Sequence, residues 1–597
     1  MCGRIASVIR GVAGLTVALL VCAAGPGRAA EPPPIAWQAW SDDLFDRAAR
    51  DHRFVLLDLE AVWCHWCHVM DQRTYADPAV RAIVAASFIA VKVDQDNRPD
   101  LAERYRDYGW PATIVFAPDG GERVKLAGYY GAQLFAGVLR GALETPAKNP
   151  VAIPTETAAA SRIPDAKRAA FQHDFDASYD QTNAGWGRGY KFIDGPSMDL
   201  SLDLAFAGDT EAARRARATL DRARSLIDPV WGGAYQYSDE ADWHSPHFEK
   251  IMPIQATYLR AYAEAWSLWR EPAYRQATDA IYRYLRDFLR APDGSFYVSQ
   301  DSDLAAGFDG HQYYALGDGE RRKAGLPPID RHSYARETAM AVAALAAYSD
   351  ATGEREALAM AEAAADWALR ERAIPDGGFR HDRADAYGPF LGDSLAMAEG
   401  MLALYRSSGD RRWLAETRRA ADFMLASFVD QRSGALLESA ARGGQASIRP
   451  VGSNIAAARL FNLLAANTGE ARYRATAERI FGYLVSGQVP GRLDLLPGAL
   501  LLDRELEREP IHVTVVGAKT DPLAAQLMAA ALAYPSSYKR VDWWDRSEGP
   551  LPNADVDYPG EPAVAGYACS GTRCSLPVTD PAKLAAALDR LAKRAAN

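Results

Sequence analysis

The feature that most constrains the fold of this chain is a pair of cysteines, two residues apart, that directly follows an apolar run. Residues 63–68 have the sequence WCHWCH, and the run FVLLDL occupies residues 54–59. This pattern is typical of a buried strand leading into a helix whose first turn carries both sulfurs. Backbone N–H groups at such a helix end stabilise a Cys64 thiolate, and Cys67, one turn further on, can resolve a mixed disulfide. The pattern therefore predicts a redox-active dithiol.

Three further features surround this motif along the chain. Asp58 lies within the predicted first strand, where a buried carboxylate could exchange a proton with Cys67. Residues 88–94, FIAVKVD, indicate the next strand, and the β-rich run at residues 114–116 indicates a third, which follows Pro111. This order is that of a thioredoxin-like α/β domain, in which Asp58 is the expected proton acceptor.

The Trp110-Pro111 pair predicts a particular geometry of the backbone. A proline directly before a strand removes a donor of the hydrogen-bond ladder, so we expect a cis bond that faces the dithiol. We also expect Pro111 to belong to the catalytic site, with Trp63, Trp66 and Trp110 as substrate contacts. The stretch resembles thioredoxin itself, on landmarks at Asp58, Trp63, Cys64, Cys67, Lys92 and Pro111. It departs from thioredoxin between the cysteines, where His65 and Trp66 replace Gly-Pro.

The same cysteines fit two other kinds of site. Residues 64–68 match C-x-x-C-H, the attachment signature of a c-type haem, but the thioredoxin landmarks would then be coincidences. The other alternative is zinc bound by both cysteines with His65 and His68, although these histidines are packed too closely around the cysteines to share one ion with them. We favour the dithiol over both, and we expect no cofactor and no metal.

The first 30 residues have the pattern of a secretory signal peptide. Arg4 and Arg10 precede an apolar run at residues 11–24, and small residues follow it. We therefore predict a periplasmic or secreted protein without stable membrane insertion once residues 1–30 are removed. The alternatives are an uncleaved anchor and a lipoprotein modified at Cys22.

Composition limits the partners and the means of stabilisation. The net charge of −10 argues against nucleic acid and anionic membranes as partners. The chain has 6 cysteines in 597 residues, so apolar burial rather than disulfides must hold its domains together. Cys569 and Cys574 form a second close pair, separated by a turn. We favour a structural disulfide there, and the alternative is a second redox pair or a partner of the first.

Changes in composition divide the chain into several domains. The thioredoxin-like domain is predicted at residues 31–144, and the proline-containing segment 145–165 forms a linker. Residues 166–500 carry a helical repeat. Residues 501–597 contain strand and helix patterns that predict a small C-terminal α/β appendage.

The repeat consists of two helices joined by a short polar turn, followed by a glycine-aromatic return segment. The inter-helix turns lie at residues 207–209, 270–272, 352–354, 408–410 and 468–470. The return segments lie at residues 231–235, 293–297, 376–379 and 433–436, with an earlier copy at 185–187. The pattern predicts a closed all-α (α/α) toroid of six helical hairpins, with the return loops around a central cleft. An open helical solenoid is the alternative.

Polar side chains cluster in two of these loops. Residues 242–250 and 300–303 supply His244, His247, Glu249, Asp301 and Asp303, which are our candidate substrate-binding residues in the toroid. Carboxylates and histidines beside aromatic rings suit carbohydrate binding, and they could also support glycoside hydrolysis or epimerisation. A purely structural role, in which they cap helices and cross-link loops, is the alternative.

Taken in order, these motifs resemble the spermatogenesis-associated family over nearly the whole chain. The resemblance rests on WCHWCHVM at residues 63–70, GWP at 109–111, PHFEK at 246–250 and QDSD at 300–303. Members of that family join a thioredoxin-like domain to a six-hairpin glycosidase-like toroid, which is the architecture expected here. This sequence departs from the family pattern at residues 251–256 and 333–337.

Two functions follow as hypotheses. The first is an extracytoplasmic thiol-disulfide oxidoreductase that acts on protein thiols or a redox partner, with a toroid that binds a client or a carbohydrate. The second is a carbohydrate-binding or carbohydrate-modifying toroid, a hydrolase or an epimerase, in which the thioredoxin domain serves as a docking or regulatory module.

Overall fold

The computed structural model describes residues 32–144, 162–187, 189–304, 310–439, 447–488, 496–571 and 573–595. The predicted signal peptide at residues 1–30 lies outside the described residues, as does most of the predicted linker.

Helices and strands alternate at both ends of the chain, and helices dominate its middle. The helices are α1 (Leu44–Asp51), α2 (His65–Arg73), α3 (Pro78–Ser87), α4 (Pro99–Tyr105), α5 (Ala132–Glu144), α6 (Asp165–Ser178), α7 (Gly195–Phe206), α8 (Thr210–Ala223), α9 (Met252–Trp269), α10 (Pro272–Tyr284), α11 (Gly310–Tyr314), α12 (Asp318–Ala324), α13 (Ala335–Thr352), α14 (Arg355–Glu371), α15 (Leu391–Ser408), α16 (Arg411–Ser427), α17 (Val451–Thr468), α18 (Ala471–Tyr483), α19 (Leu496–Glu507), α20 (Pro522–Leu532) and α21 (Pro581–Ala595). The strands are β1 (Phe54–Glu60), β2 (Phe88–Asp94), β3 (Ala112–Phe116), β4 (Glu122–Ala127), β5 (Tyr237–Ser238), β6 (Pro246–His247), β7 (Lys250–Ile251), β8 (Ser299–Gln300), β9 (Ile329–Asp330), β10 (Ile511–Val516), β11 (Lys539–Trp544), β12 (Ala565–Ser570) and β13 (Arg573–Cys574).

The N-terminal domain has the predicted thioredoxin-like architecture. Its sheet has the order β2-β1-β3-β4, in which β1 runs parallel to β2 and antiparallel to β3. Side chains alternate along β1, so that Leu57 joins the core on one face while Leu56 packs with Met70 of α2 on the other. The Trp110–Pro111 bond directly before β3 is cis, as the sequence predicted.

The middle of the chain forms the predicted closed toroid. Each inner helix contacts the next around the ring, in the order α7, α9, α13, α15, α17 and α19, and α19 contacts α7 again. Five outer helices, α8, α10, α14, α16 and α18, each pack on the inner helix that precedes them, and α6 packs on α19. The sixth hairpin therefore joins the first and last helices of the toroid, which excludes an open solenoid.

Glycines with positive φ shape the ends of these hairpins. Gly353 ends α13 in the left-handed conformation at φ 78°, within a turn that the sequence indicated. Gly232 lies in a return segment at φ 74°, where an added Cβ would lie 2.1 Å from the carbonyl oxygen of Ala280 on α10. Only glycine fits this close approach, which explains the repeated glycine-aromatic segments.

The C-terminal region forms the predicted α/β domain, and its sheet has the same topology as the N-terminal one. The order is β11-β10-β12-β13, with β10 parallel to β11 and antiparallel to β12. Cys569 and Cys574 form a disulfide between the paired strands β12 and β13. The expected boundary between residues 500 and 501 falls inside α19, so the toroid extends to Glu507. The helix α19 packs on α6, and Asp503 of α19 binds Arg168 of α6, 335 positions earlier in the chain.

The two α/β domains cover opposite ends of the toroid. At the return-loop end, the His381 Nε2–H donates to the carbonyl of Asp96, at 2.6 Å. At the opposite end, the Tyr405 hydroxyl donates to Asp542 on β11, at 2.8 Å. Within the described part of the chain, no helix combines the length and apolar character needed to cross a bilayer.

Candidate functional site

The two cysteines of the motif lie at the N-terminus of α2. Cys64 is the N-cap residue, and its Sγ accepts a hydrogen bond from the Cys67 N–H, at 3.1 Å. The two sulfurs form a disulfide, and only 3% of Cys64 and 2% of Cys67 are exposed. Donors at the positive end of a helix favour a thiolate over a thiol, so this geometry suits Cys64 as the nucleophile.

Asp58 occupies the middle of β1. It shares with Leu56 the sheet face that α2 covers through Met70, and so lies beneath the helix that carries the cysteines. Burial raises the pKa of Asp58 to about 7, even though the Lys92 ammonium, 3.3 Å away, opposes the shift. One carboxylate oxygen, Oδ1, has no hydrogen-bond partner. Asp58 is therefore a buried carboxyl group that can exchange a proton near neutral pH.

The aromatic residues around the motif occupy different environments. Trp66 is 39% exposed and stacks on Tyr129, with the ring centroids 5.6 Å apart. Trp63 is buried, and its Nε1–H donates to Asp96 at 2.7 Å, whereas Trp110 packs against the cysteines. The Trp63 indole therefore fills the interior beside the motif, and its contact with a substrate stays a prediction.

The toroid covers the disulfide. Ile251 on β7 packs against the buried cluster that contains both cysteines. The loop after β8 approaches α2, where the His65 Nδ1 lies 2.8 Å from Asp303 Oδ2 and the His68 Nδ1 lies 3.5 Å from the same oxygen. The cysteine motif and the loop containing QDSD therefore form one site at the interface between the domains.

Burial and pairing set the charges in this site. The pKa of Asp303 lies well below its ordinary value, because hydrogen bonds from His65 and His68 outweigh the effect of burial. The same hydrogen bonds raise the pKa of each histidine. Burial raises the pKa of Asp301 to about 6, and it also raises the pKa of Glu249. The carboxylates of this site thus differ widely in their affinity for a proton.

The structure brings together only some of the predicted toroid residues. Glu249, Asp301 and Asp303 belong to the interface site, and Glu249 Oε2 lies 3.9 Å from His247 Nδ1. His247 stacks on Tyr237 and pairs with Asp239 at the edge of the site. His244 is exposed beside Asp242 and does not join the interface site.

The lysine of the PHFEK motif has a structural role that the sequence did not reveal. Lys250 is fully buried, and its ammonium donates to Asp228 at 2.7 Å and to the carbonyl of Gly232 at 2.9 Å. The Arg321 guanidinium binds the same carboxylate at 2.7 Å. Lys250 therefore fixes the return segment that leads to the interface site.

Sequence reasoning also missed His381. Its Nδ1 lies 2.9 Å from Asp393, whose carboxylate raises the pKa of His381 to about 9 although burial alone would lower it. Its Nε2–H binds the thioredoxin-like domain at Asp96. The two contacting residues are 285 positions apart, so spacing along the chain could not indicate the contact.

The predicted cleft at the return-loop end is covered by the thioredoxin-like domain. Asp96 lies within electrostatic range of Arg336 and Glu337 at the start of α13, and Glu438 lies within range of Glu103. The return loops do gather at one end of the toroid, as predicted. In the described residues they face the segment around α4 rather than an open cleft.

A separate cavity of about 560 Å³ lies inside the ring of inner helices. Its polar walls include Arg260, which pairs with Asp199 at 2.7 Å, and Arg459, which pairs with Glu505 at 2.8 Å. Burial raises the pKa of Glu399 in the same wall to about 7. The cavity contains none of the site residues predicted from the sequence.

Known proteins match different parts of the chain. The family model Thioredox_DsbH, described as a protein of unknown function, DUF255, matches residues 28–137. Spermatogenesis-associated protein 20 of Homo sapiens is 24% identical over 320 residues, which cover 45% of this chain and 39% of that protein. Thiol:disulfide interchange protein DsbD of Ralstonia nicotianae is 34% identical over 113 residues, 18% of this chain and 19% of that protein. The resemblance to the spermatogenesis-associated family is confirmed, although the match spans less than half the length of these curated relatives.

Two solved structures are similar to separate parts of the chain. Cellobiose 2-epimerase from Bacillus thermoamylovorans B4167 covers 58% of this chain and 100% of its own, at 10% identity and a TM-score of 0.46. A DsbH oxidoreductase covers 20% of this chain and 92% of its own, at 16% identity and a TM-score of 0.19.

Proposed function

We propose that this chain, which resembles the spermatogenesis-associated family, is an extracytoplasmic thiol-disulfide oxidoreductase whose reactive pair is Cys64 and Cys67. The observation that carries the proposal is the position of both sulfurs in the first turn of α2, directly after β1. Asp58 lies on the face of β1 that α2 covers. The similarity of this region to part of proteins named thiol:disulfide interchange protein is in agreement.

The geometry supports a two-step exchange. In the reductive direction, the Cys64 thiolate attacks a substrate disulfide, forms a Cys64–substrate bond and releases one substrate thiolate. Cys67 then transfers its proton to Asp58 and attacks Cys64 Sγ, which releases the second substrate sulfur. Two electrons pass from the dithiol to the substrate, and a dithiol partner protein restores Cys64 and Cys67. The oxidative direction is the reverse sequence.

Access to the dithiol depends on the toroid. Both sulfurs are almost fully buried beneath Ile251, so a folded protein substrate cannot reach Cys64 while the interface is closed. Trp66, which is 39% exposed, lies between the cysteines at the edge of this interface. We infer that a substrate first contacts the rim at Trp66 and reaches Cys64 when the interface opens.

Cysteine substitutions test the proposal. Cys64→Ser should abolish disulfide exchange with a model protein disulfide, because it removes the sulfur at the helix N-terminus and leaves only the buried Cys67 thiol. Cys569→Ser should leave exchange largely intact, because Cys569 lies on a strand rather than at a helix N-terminus. Equal losses from both substitutions would contradict this division of roles.

The cavity in the ring supports a second candidate function, the binding of a small polar ligand such as a carbohydrate. Its volume of about 560 Å³ lies within the range of small-molecule sites, and it offers guanidinium and carboxylate groups. Titration with mono- and disaccharides tests this candidate. Saturable binding that survives loss of Cys64 and Cys67 but not Arg459→Ala would favour it, and the absence of binding to any sugar would remove it.

A further inference from the structure

Three side chains from two domains point ligand atoms at one another in the interface site. The His68 Nδ1 lies 3.5 Å from Asp303 Oδ2 and 4.0 Å from Asp301 Oδ2. One ligand atom from each of the three residues lies within 4.8 Å of the others. Ligand atoms of a tetrahedral zinc centre lie about 3.3 Å apart, since the bonds are about 2.0 to 2.1 Å long. Small movements of these side chains would therefore complete a site for one ion.

Each of the three groups has a partner that holds it in an orientation suited to metal binding. The His68 Nε2–H donates to the carbonyl of Val62, at 3.1 Å, which leaves Nδ1 as the ligand atom. Asp301 Oδ1 accepts the Asp303 N–H at 3.0 Å, and the His65 Nδ1 lies 3.0 Å from Asp303 Oδ1 and 2.8 Å from Asp303 Oδ2. Ligating histidines and carboxylates in metalloproteins are oriented by outer partners of this kind.

A buried carboxylate beside these groups adds negative charge. The Glu249 side chain is 4% exposed, its Oε2 has no hydrogen-bond partner, and the His247 Nδ1 lies 3.9 Å from that oxygen. It interacts electrostatically with both Asp301 and His65. A buried carboxylate is costly unless it is paired or coordinates a cation, so a divalent ion beside Asp301, Asp303 and Glu249 would stabilise their negative charge.

A second group of carboxylates, in the thioredoxin-like domain, differs from the interface site because a lysine ammonium already lies among its oxygens. Asp58, Glu60 and Asp71 also bring carboxylate oxygens together, but the Lys92 ammonium already lies among them. It is 2.6 Å from Asp71, 2.8 Å from Glu60 and 3.3 Å from Asp58. In that group Lys92 supplies the cation, whereas in the interface site the carboxylates pair with the imidazoles of His65 and His68.

We propose that His68, Asp301 and Asp303 bind a divalent transition metal ion of the zinc class, which joins α2 of the thioredoxin-like domain to the toroid beside the dithiol. The nitrogen and oxygen donors suit such an ion, and three protein ligands leave a position open. His65 orients Asp303 through both carboxylate oxygens, and Glu249 interacts electrostatically with Asp301 and His65. The ion would hold Ile251 over the Cys64–Cys67 disulfide. The proposal is independent of the redox function.

Metal titration of the full chain tests the proposal. The protein is treated with a chelator, kept oxidised so that Cys64 and Cys67 offer no thiolates, and titrated with Zn²⁺ by calorimetry and Co²⁺ by visible absorption. We expect one more bound ion per chain in the wild type than in Asp303→Asn. His68→Ala should weaken binding at least about tenfold, and Co²⁺ should give a spectrum of nitrogen and oxygen ligands without a thiolate band.

Two control variants make the result specific. Asp71→Asn removes a carboxylate from the group that Lys92 occupies, so it should leave metal uptake unchanged. The double variant Cys64→Ser/Cys67→Ser should bind the ion as the wild type does. Thermal unfolding of His68→Ala without metal shows whether the variant folds, and Zn²⁺ should raise the unfolding temperature of the wild type and of both control variants but not that of His68→Ala. Equal uptake by wild type and His68→Ala, or uptake lost only in the cysteine variant, would overturn the proposal.

Discussion

Asp58 shows how position in a strand changes the chemistry of one residue. It is the fully buried polar residue of β1, a strand that ends at the half-buried Glu60, and burial moves the pKa of its carboxyl group to about 7. The charged groups that face it are Lys92, which lowers this pKa, and Glu60 and Asp71, which raise it; Tyr75 also contacts it. In the proposed exchange, Asp58 is ionised above pH 7 and accepts the proton of Cys67.

This role gives a pH-dependent prediction. Asp58 accepts a proton only when it is ionised, so the rate at which Cys67 resolves a mixed disulfide should rise between pH 6 and 8. Asp58→Asn should remove this rise and slow resolution at pH 8 by about tenfold or more. Rapid-quench measurement of the mixed disulfide formed at Cys64 gives the rate. A profile unchanged in Asp58→Asn would mean that another group takes the proton.

The two histidines of the motif show what the sequence could not reveal at this scale. The order of Asp58, the cysteines and Pro111 was sufficient to predict the dithiol, because all these landmarks lie within one domain. From the sequence, His65 and His68 were expected to surround the cysteines, but in the structure they pair with Asp303 and Asp301. That pairing depends on how two domains dock, and no local pattern encodes it.

At the scale of elements, the return segments carry the strongest local constraints of the toroid. Glycine-aromatic segments and short polar turns follow a regular spacing, so most hairpins could be predicted from the sequence. The sixth hairpin could not be delimited, because α6 and α19 pair across the whole toroid. The repeated sheet topology of the C-terminal domain also escaped prediction, since it lacks the cysteine motif that marks the N-terminal one.

A pair of glycine substitutions tests the packing of the return segments. Gly232→Ala should lower the free energy of unfolding by at least about 3 kcal/mol, because the new Cβ would overlap the carbonyl of Ala280. Gly353→Ala has a similar φ and no atom within 4 Å of the Cβ, so it should cost only about 1 to 2 kcal/mol. Denaturant unfolding followed by circular dichroism measures both. Equal losses in the free energy of unfolding would show that Gly232 does not lie as close to the Ala280 carbonyl as the structure indicates.

At the scale of the whole molecule, the toroid lies between two α/β domains of the same sheet topology. Its return-loop end binds the thioredoxin-like domain through His381, Ile251 and Asp303. The dithiol is consequently part of an interface rather than an open surface. The sequence predicted all three domains, but it could not predict which end of the toroid each α/β domain covers.

His381 should make this docking depend on pH. Its pKa in the folded protein, about 9, lies above the ordinary value of 6.5 because the Asp393 carboxylate outweighs burial; Glu337 and Arg336 also face it. A raised histidine pKa contributes stability that is fully present below pH 6.5 and is lost as the pH rises through 9. We expect amide hydrogen exchange in residues 94–105 to accelerate between pH 7 and 9.5 by more than it does in an unprotected chain over the same pH range.

A substitution distinguishes the titration of His381 from a general loss of structure at high pH. His381→Asn at pH 7 should already show the faster exchange in residues 94–105 and faster reduction of the Cys64–Cys67 disulfide by a bulky thiol. His173→Asn, on the exposed side of α6, should show neither. Unchanged protection in His381→Asn would mean that other contacts hold the domain in place.

The most direct test of the proposed function is the reduction potential of the Cys64–Cys67 pair in the full chain. We expect a reversible two-electron couple between roughly −270 and −120 mV, which is the range of thioredoxin-like oxidoreductases, and its loss in Cys64→Ser. A pair that stays oxidised below about −300 mV would behave as a structural disulfide and would contradict the proposal.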